Sequence, residues 1–171
     1  CASNLARYDS IRFNTEFSQL QKDFSNFYTH IRSIGFGKEV KKRILLGTFL
    51  LTKYNNNSLY ENANLLRKII INDYKNFFKE VNLILTPTTL TTAHYIKKKY
   101  NEKEQIETDK TTCISNITGM PAISFPVGLS SLNLPIGMQL IANFFNEQTL
   151  LNTVHHIQEN TTWHLEINRL T

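Results

Sequence analysis

The chain has 171 residues, 19 Lys and Arg against 14 Asp and Glu for a formal charge of +5, and 41% hydrophobic residues. Such a length suits one domain, and the apolar content excludes a disordered tail or a collagen-like fibre. Pure apolar runs are as short as Ile69-Ile70-Ile71 and Leu83-Ile84-Leu85, far below the roughly 20 residues of a membrane-spanning helix.

Residues 2–13 read as a helix end followed by a turn, with Leu5, Tyr8 and Ile11 apolar. Over 16–33, Phe17, Leu20, Phe24, Phe27 and Ile31 recur in steps of three and four, which predicts an amphipathic helix broken at Gly35-Phe36-Gly37. A second helix is expected from about Lys38 to Lys53, with Val40, Ile44, Leu45, Thr48 and Leu51 on one face. After an Asn55-Asn56-Asn57 loop, Ser58 and Glu61 form a capping-box pattern. It opens a long helix striped by Leu66, Ile70, Tyr74, Phe77 and Val81.

Asn82 to Thr86 reads as a short buried strand bounded by Pro87. Thr88 to Asp109 is polar, carries Lys97-Lys98-Lys99 and has no clear period, the mark of a functional or excursion loop. Thr111 to Thr118 suits a short helix stopped by Gly119. Ala122 to Val127 and Ile136 to Ala142 read as strands, and the linker Gly128 to Pro135 is too long for a two-residue hairpin. Asn146 caps a last helix through Leu150, Leu151, Val154 and Ile157, and 161–171 is ambiguous. Helices interleaved with short buried strands argue an α/β fold with a mixed or parallel sheet.

Self-contained catalytic motifs are missing from this pattern. There is no G-x-S-x-G, P-loop, G-x-G-x-x-G or H-E-x-x-H. His155 and His156 are adjacent, so on a helix they diverge by about 100° and do not share a metal; one exposed and one partly packed is the simpler expectation. The two cysteines, Cys1 and Cys113, make neither a disulfide framework nor a zinc site, and Cys113 is expected to be buried and inert. Asn56, Asn116 and Asn160 begin N-x-Ser/Thr triplets that an Asn-rich chain produces by chance. The basic balance fits either a nucleic-acid partner or a Lys-rich base composition. The Lys97-Lys98-Lys99 run and the helical Lys41-Lys42-Arg43 read as solvated charge, and Asp109 reads as a carboxylate capping the helix after it.

Five blocks then carry a resemblance. They are Ala2-Ser3-Asn4-Leu5-Ala6-Arg7-Tyr8-Asp9, the run from Gly35-Phe36-Gly37 through Val40-Lys41-Lys42-Arg43 to Gly47-Thr48, Leu85-Thr86-Pro87-Thr88, Asn116 to Pro126, and Leu134 to Ile141. Together they resemble the amidase signature family, and the first two favour its tRNA-dependent amidotransferase branch. Ser10 stands where the family has Gly, and 109–114 departs from its usual run. The resemblance implies that residues 1–171 are the C-terminal part of a single amidase domain, a mixed sheet covered by helices. It also implies that the family's Lys and paired Ser lie upstream, so that no catalytic residue is in this chain.

In that branch the implied activity is hydrolysis of glutamine to supply ammonia for converting Glu-tRNA(Gln) to Gln-tRNA(Gln). Glutamine is a zwitterion and wants a cation for its carboxylate and an anion for its ammonium. By resemblance Arg43 binds the carboxylate, and Asp109, seven residues before Asn116, binds the ammonium. No cofactor is implied for this chain; ATP and Mg²⁺ are expected on a partner B subunit, beside a small third subunit, with tRNA bound through the complex and no membrane. The implied setting is the mitochondrial matrix, with a bacterial cytoplasm as the alternative. A general amidase of the same fold and a non-catalytic basic module contacting tRNA remain open.

Overall fold

A computed structural model describes residues 2–8, 24–52, 58–96 and 102–166. It divides the chain into two compact units, 1–65 and 66–171. Phe17, Leu20, Ile11, the Asn55-Asn56-Asn57 loop, the Lys97-Lys98-Lys99 run and the end of the tail lie outside the described residues.

The first unit is helical. α1 (Ala2–Leu5) is followed by α2 (Phe24–Gly35), α3 (Lys38–Leu50) and the start of α4 (Ser58–Phe77). Gly35 closes α2, and Gly37 in extended backbone (φ −62°, ψ 163°) starts α3, so the expected break is in place. Arg32 holds the junction. Its Nη1 donates to the Leu5 and Tyr8 carbonyls, both at 3.1 Å, and so satisfies acceptors left open at the end of a helix. Its guanidinium stacks 5.1 Å from the Phe36 ring, which meets Tyr8 edge-on at 6.3 Å. Lys41 Nζ donates back to the Ser33 carbonyl. Phe27 is buried, but α3 has no fully buried residue.

The second unit is built on a three-stranded sheet. β1 (Leu83–Pro87), β2 (Ala122–Leu129) and β3 (Pro135–Ala142) lie in the order β1-β3-β2. The α/β expectation holds, but both described pairings are antiparallel, where a mixed or parallel sheet was expected. For β2 and β3 the reason is local: only residues 130–134 separate them, too few for a parallel crossover. Ser130 closes that loop. Its amide donates to the Leu134 carbonyl at 2.8 Å, while its Oγ accepts from the Leu132 and Leu134 amides. Asn133 takes the left-handed conformation (φ 57°) that the turn needs.

Alternation along the strands sorts the two faces. Phe125, Leu140 and Ala142 point to one side and form the core with Leu150 and Val154 of α7 (Glu147–Glu159), flanked by Leu83, Met138 and Ile157. Asn146 stands at the N-terminus of α7 as expected, but its side chain caps no backbone amide; its Oδ1 accepts from Thr149 Oγ1 at 2.6 Å instead. Leu151 is exposed, because the helix turns it a further 100° away from Leu150. The α4 stripe is only partly covered. Ile70 and Tyr74 are half-buried, with burial raising the Tyr74 phenol above its ordinary pKa, whereas Leu66, Phe77 and Val81 are exposed.

The stretch expected to be irregular contains a helix, α5 (Glu102–Asp109). Among EKEQIETD only Ile106 is apolar, and it is exposed, so no apolar period marks the helix. α6 (Cys113–Thr118) ends at Gly119 in the left-handed region (φ 76°), as its sequence predicts, with the Gly119 amide bonded to the Ser115 carbonyl. Arg67 of α4 donates from Nε to the Ile117 carbonyl at 2.6 Å, a cation at the negative end of α6.

Candidate functional site

Arg43 lies on α3 in the first unit. Glu39 sits in the first turn of that helix, where a carboxylate suits the positive helix end. One turn on, Arg43 Nε meets Glu39 Oε1 at 3.3 Å, with both side chains about two-thirds exposed (64% each). The bond engages Nε alone, so the planar Nη pair that suits a carboxylate lies outside it. A pair this exposed contributes little stability, about 0.5 kcal/mol or less.

Asp109 lies in the second unit, and it does not cap the helix that follows. It is the last residue of α5; Thr112 precedes α6 without a side-chain cap. A carboxylate at the negative end of a helix gains nothing from the helix dipole, so the fold of α5 does not account for an acidic residue at this position. Lys110, its neighbour, turns back onto Glu107 Oε1 at 2.5 Å instead of pairing with Asp109. The Asp109 carbonyl accepts from Thr112 Oγ1 at 3.1 Å, which fixes 109–112 as the turn between α5 and α6.

That turn is tied to the sheet by residues that lie inside three of the five blocks but were given no role there. Thr86, Gln139 and Ser124 stand side by side across β1, β3 and β2. Gln139 Nε2 donates to Thr86 Oγ1 and to the Thr111 carbonyl, both at 2.9 Å. Thr111 Oγ1 donates to the Thr88 carbonyl at 2.6 Å, and Thr88 Oγ1 meets Ser124 Oγ at 2.8 Å. The available signal was polar residues at alternate positions, Thr86 in β1 with Thr88 just past its end, and Gln139 between Met138 and Leu140 in β3.

A cavity of about 430 Å³ flanks α5, lined by Thr91, His94, Tyr95, Glu104, Glu107 and Thr108 among others. It stops short of Asp109. Among the described residues no group of three or more His, Cys, Asp or Glu is placed to hold a metal. His155 and His156 are both exposed, against the expectation that one packs, and each approaches Glu159, at 3.5 and 3.6 Å. Cys113 is exposed as well, because the first residue of α6 faces outward from its turn, which corrects the expectation of a buried thiol.

The Amidase family model matches residues 1–151. The chain is 39% identical over 171 residues to the A subunit of glutamyl-tRNA(Gln) amidotransferase from Coxiella burnetii (strain Dugway 5J108-111), covering 99% of this chain and 35% of that protein. It is 39% identical over 163 residues to the protein of the same name from Acinetobacter baumannii (strain AYE), covering 95% of this chain and 33% of that one. The chain thus spans about a third of the length of the curated relatives it matches. Among solved structures, the A subunit of glutamyl-tRNA(Gln) amidotransferase from Thermotoga maritima is 31% identical, with a TM-score of 0.60 over 80% of this chain and 30% of that one. The helix bearing Arg43, the turn bearing Asp109 and all three strands fall inside the matched span, and the chain belongs to the amidase family.

Proposed function

We propose that this chain is the C-terminal part of the glutamine-hydrolysing A subunit of a tRNA-dependent amidotransferase, and that Arg43 and Asp109 orient the substrate. The observation that carries the reading is the 39% identity to such proteins across 99% of the chain. Arg43 presents its Nη pair to the glutamine α-carboxylate, and Asp109 accepts from the α-ammonium. A cation for the carboxylate and an anion for the ammonium select a zwitterion over a simple amide, since a substrate lacking either group leaves one of them without a partner. The side-chain amide is split elsewhere, by a Lys and two Ser outside these residues, through an acyl-enzyme that releases ammonia. ATP and Mg²⁺ belong, in this proposal, to a partner B subunit that amidates Glu-tRNA(Gln), with a small third subunit completing the complex. The bacterial relatives support a bacterial cytoplasm over the mitochondrial matrix as the setting.

The test is steady-state kinetics of the complete amidotransferase. Arg43→Ala should raise the KM for glutamine about ten- to a hundredfold, the effect of one lost charged hydrogen-bonding partner. Amidation driven by added ammonia should persist, because it bypasses the glutamine pocket. An unchanged KM removes Arg43 from the site, and turnover of simple amides with no response to the partner subunits favours a general amidase.

A further inference from the structure

We propose that Gln139 is a positioning residue for the ammonium-binding Asp109, acting through the turn 109–112; this rests on the substrate role given to Asp109 above. Gln139 sits at the centre of β3, 5% exposed, between Thr86 and Ser124 on the neighbouring strands. The Thr111 carbonyl can only accept, so the amide nitrogen of Gln139 must face it, and both of its hydrogens are used, one on Thr111 and one on Thr86.

The sheet itself does not require this side chain. Ile141, two residues along the same face, is 1% exposed, so an apolar residue is accommodated there. A buried amide gains its place only by satisfying a partner that the apolar residue would leave bare. That partner is the backbone of the turn. With the Gln139 bond at Thr111 O, the Thr111 hydroxyl on Thr88 and the Thr112 hydroxyl on Asp109 O, the residue carrying the carboxylate is referenced to the sheet through consecutive short bonds. Removing the first bond leaves the carboxylate intact and its position loose, and a small displacement of a substrate-orienting group is costly.

The experiment is a double-mutant cycle on the complete amidotransferase, pairing Gln139→Met with Asp109→Asn. Gln139→Met should raise the KM for glutamine about tenfold, with kcat within about twofold and the ammonia-driven rate unchanged. In the Asp109→Asn background it should add nothing, because the group it positions is already gone. Thr86→Val, which breaks the other bond of the same amide, should lower the melting temperature and leave the KM alone. Should the Met variant not assemble, Gln139→Leu likewise removes the donor towards Thr111 and is read in the same way. An unchanged KM in Gln139→Met, effects that multiply with Asp109→Asn, or equal losses of glutamine-driven and ammonia-driven rates would overturn the positioning role. So would failure of both Gln139 variants to assemble, since the residue would then be structural. A normal KM in Asp109→Asn alone would instead remove Asp109 from the substrate site, and it is distinguished by reading that variant first.

Discussion

Gly137 of β3 lies beside Thr88, just past the end of β1. A Cβ built on it would lie 3.2 Å from Thr88 Oγ1 and 3.6 Å from Ser124 Oγ. Thr88 cannot yield freely, because its amide donates to the Gly137 carbonyl and its own carbonyl accepts from Thr111. Gly137→Ala should therefore cost about 1–3 kcal/mol through overpacking. Gly35→Ala is the contrast: nothing lies within 4 Å of its Cβ position and the residue is helical, so it should be neutral or stabilise by up to about 1 kcal/mol. Melting temperatures of the two variants in the full-length protein check both signs. At this scale the sequence alone said little. An Arg one turn after a Glu looks like any solvated helix pair, and an Asp between two helices looks like a cap; only the order of five blocks gave either residue a role. The Thr86–Gln139–Ser124 row was invisible because it exists only in the register between strands, which no single stretch of chain contains.

At the scale of elements, periodicity was legible wherever one face is buried. β2, β3 and α7 lie close to their expected spans, since alternation and 3.6-residue spacing both record contact with the core; α6 was marked instead by Gly119, and β1, expected to be buried, has no buried residue and exposes Leu85. α5 escaped because a polar helix has no such face, and the antiparallel pairing escaped because buried apolar strands look alike in either direction. Within α7 the distinction reaches single residues. Leu150 is 3% exposed in the core with Phe125 and Leu140, whereas Leu151 is 54% exposed. Leu150→Ala should destabilise by about 2–5 kcal/mol, a cavity cost, and Leu151→Ala by no more than about 0.5 kcal/mol. Urea denaturation midpoints separate the two, and similar shifts would mean that α7 is packed by a different face.

Over the whole molecule, apolar surface and its cover are distributed unevenly. The sheet and α7 have a closed core, but α3 exposes Leu45, Leu46 and Phe49, and α4 exposes Leu65, Leu66 and Ile69. Exposed aliphatic and aromatic side chains grouped on one element mark a surface that associates with something. A formal charge of +5 favours solubility but does not remove the drive to bury those groups. The periodic pattern picked out Leu45 and Leu66 among these residues without revealing whether anything covers them, because amphipathicity records a preference for burial and not its fulfilment. The 171-residue chain on its own should consequently bind an environment-sensitive apolar dye and self-associate in sedimentation. Replacing Leu45 and Leu46 together with Lys should reduce both signals without changing the far-UV circular dichroism of the helices, since neither side chain is buried. A dye-silent, monomeric wild-type chain would show that these faces are covered from within the chain, and the exposure along α3 and α4 would then have to be abandoned as a property of the protein in solution.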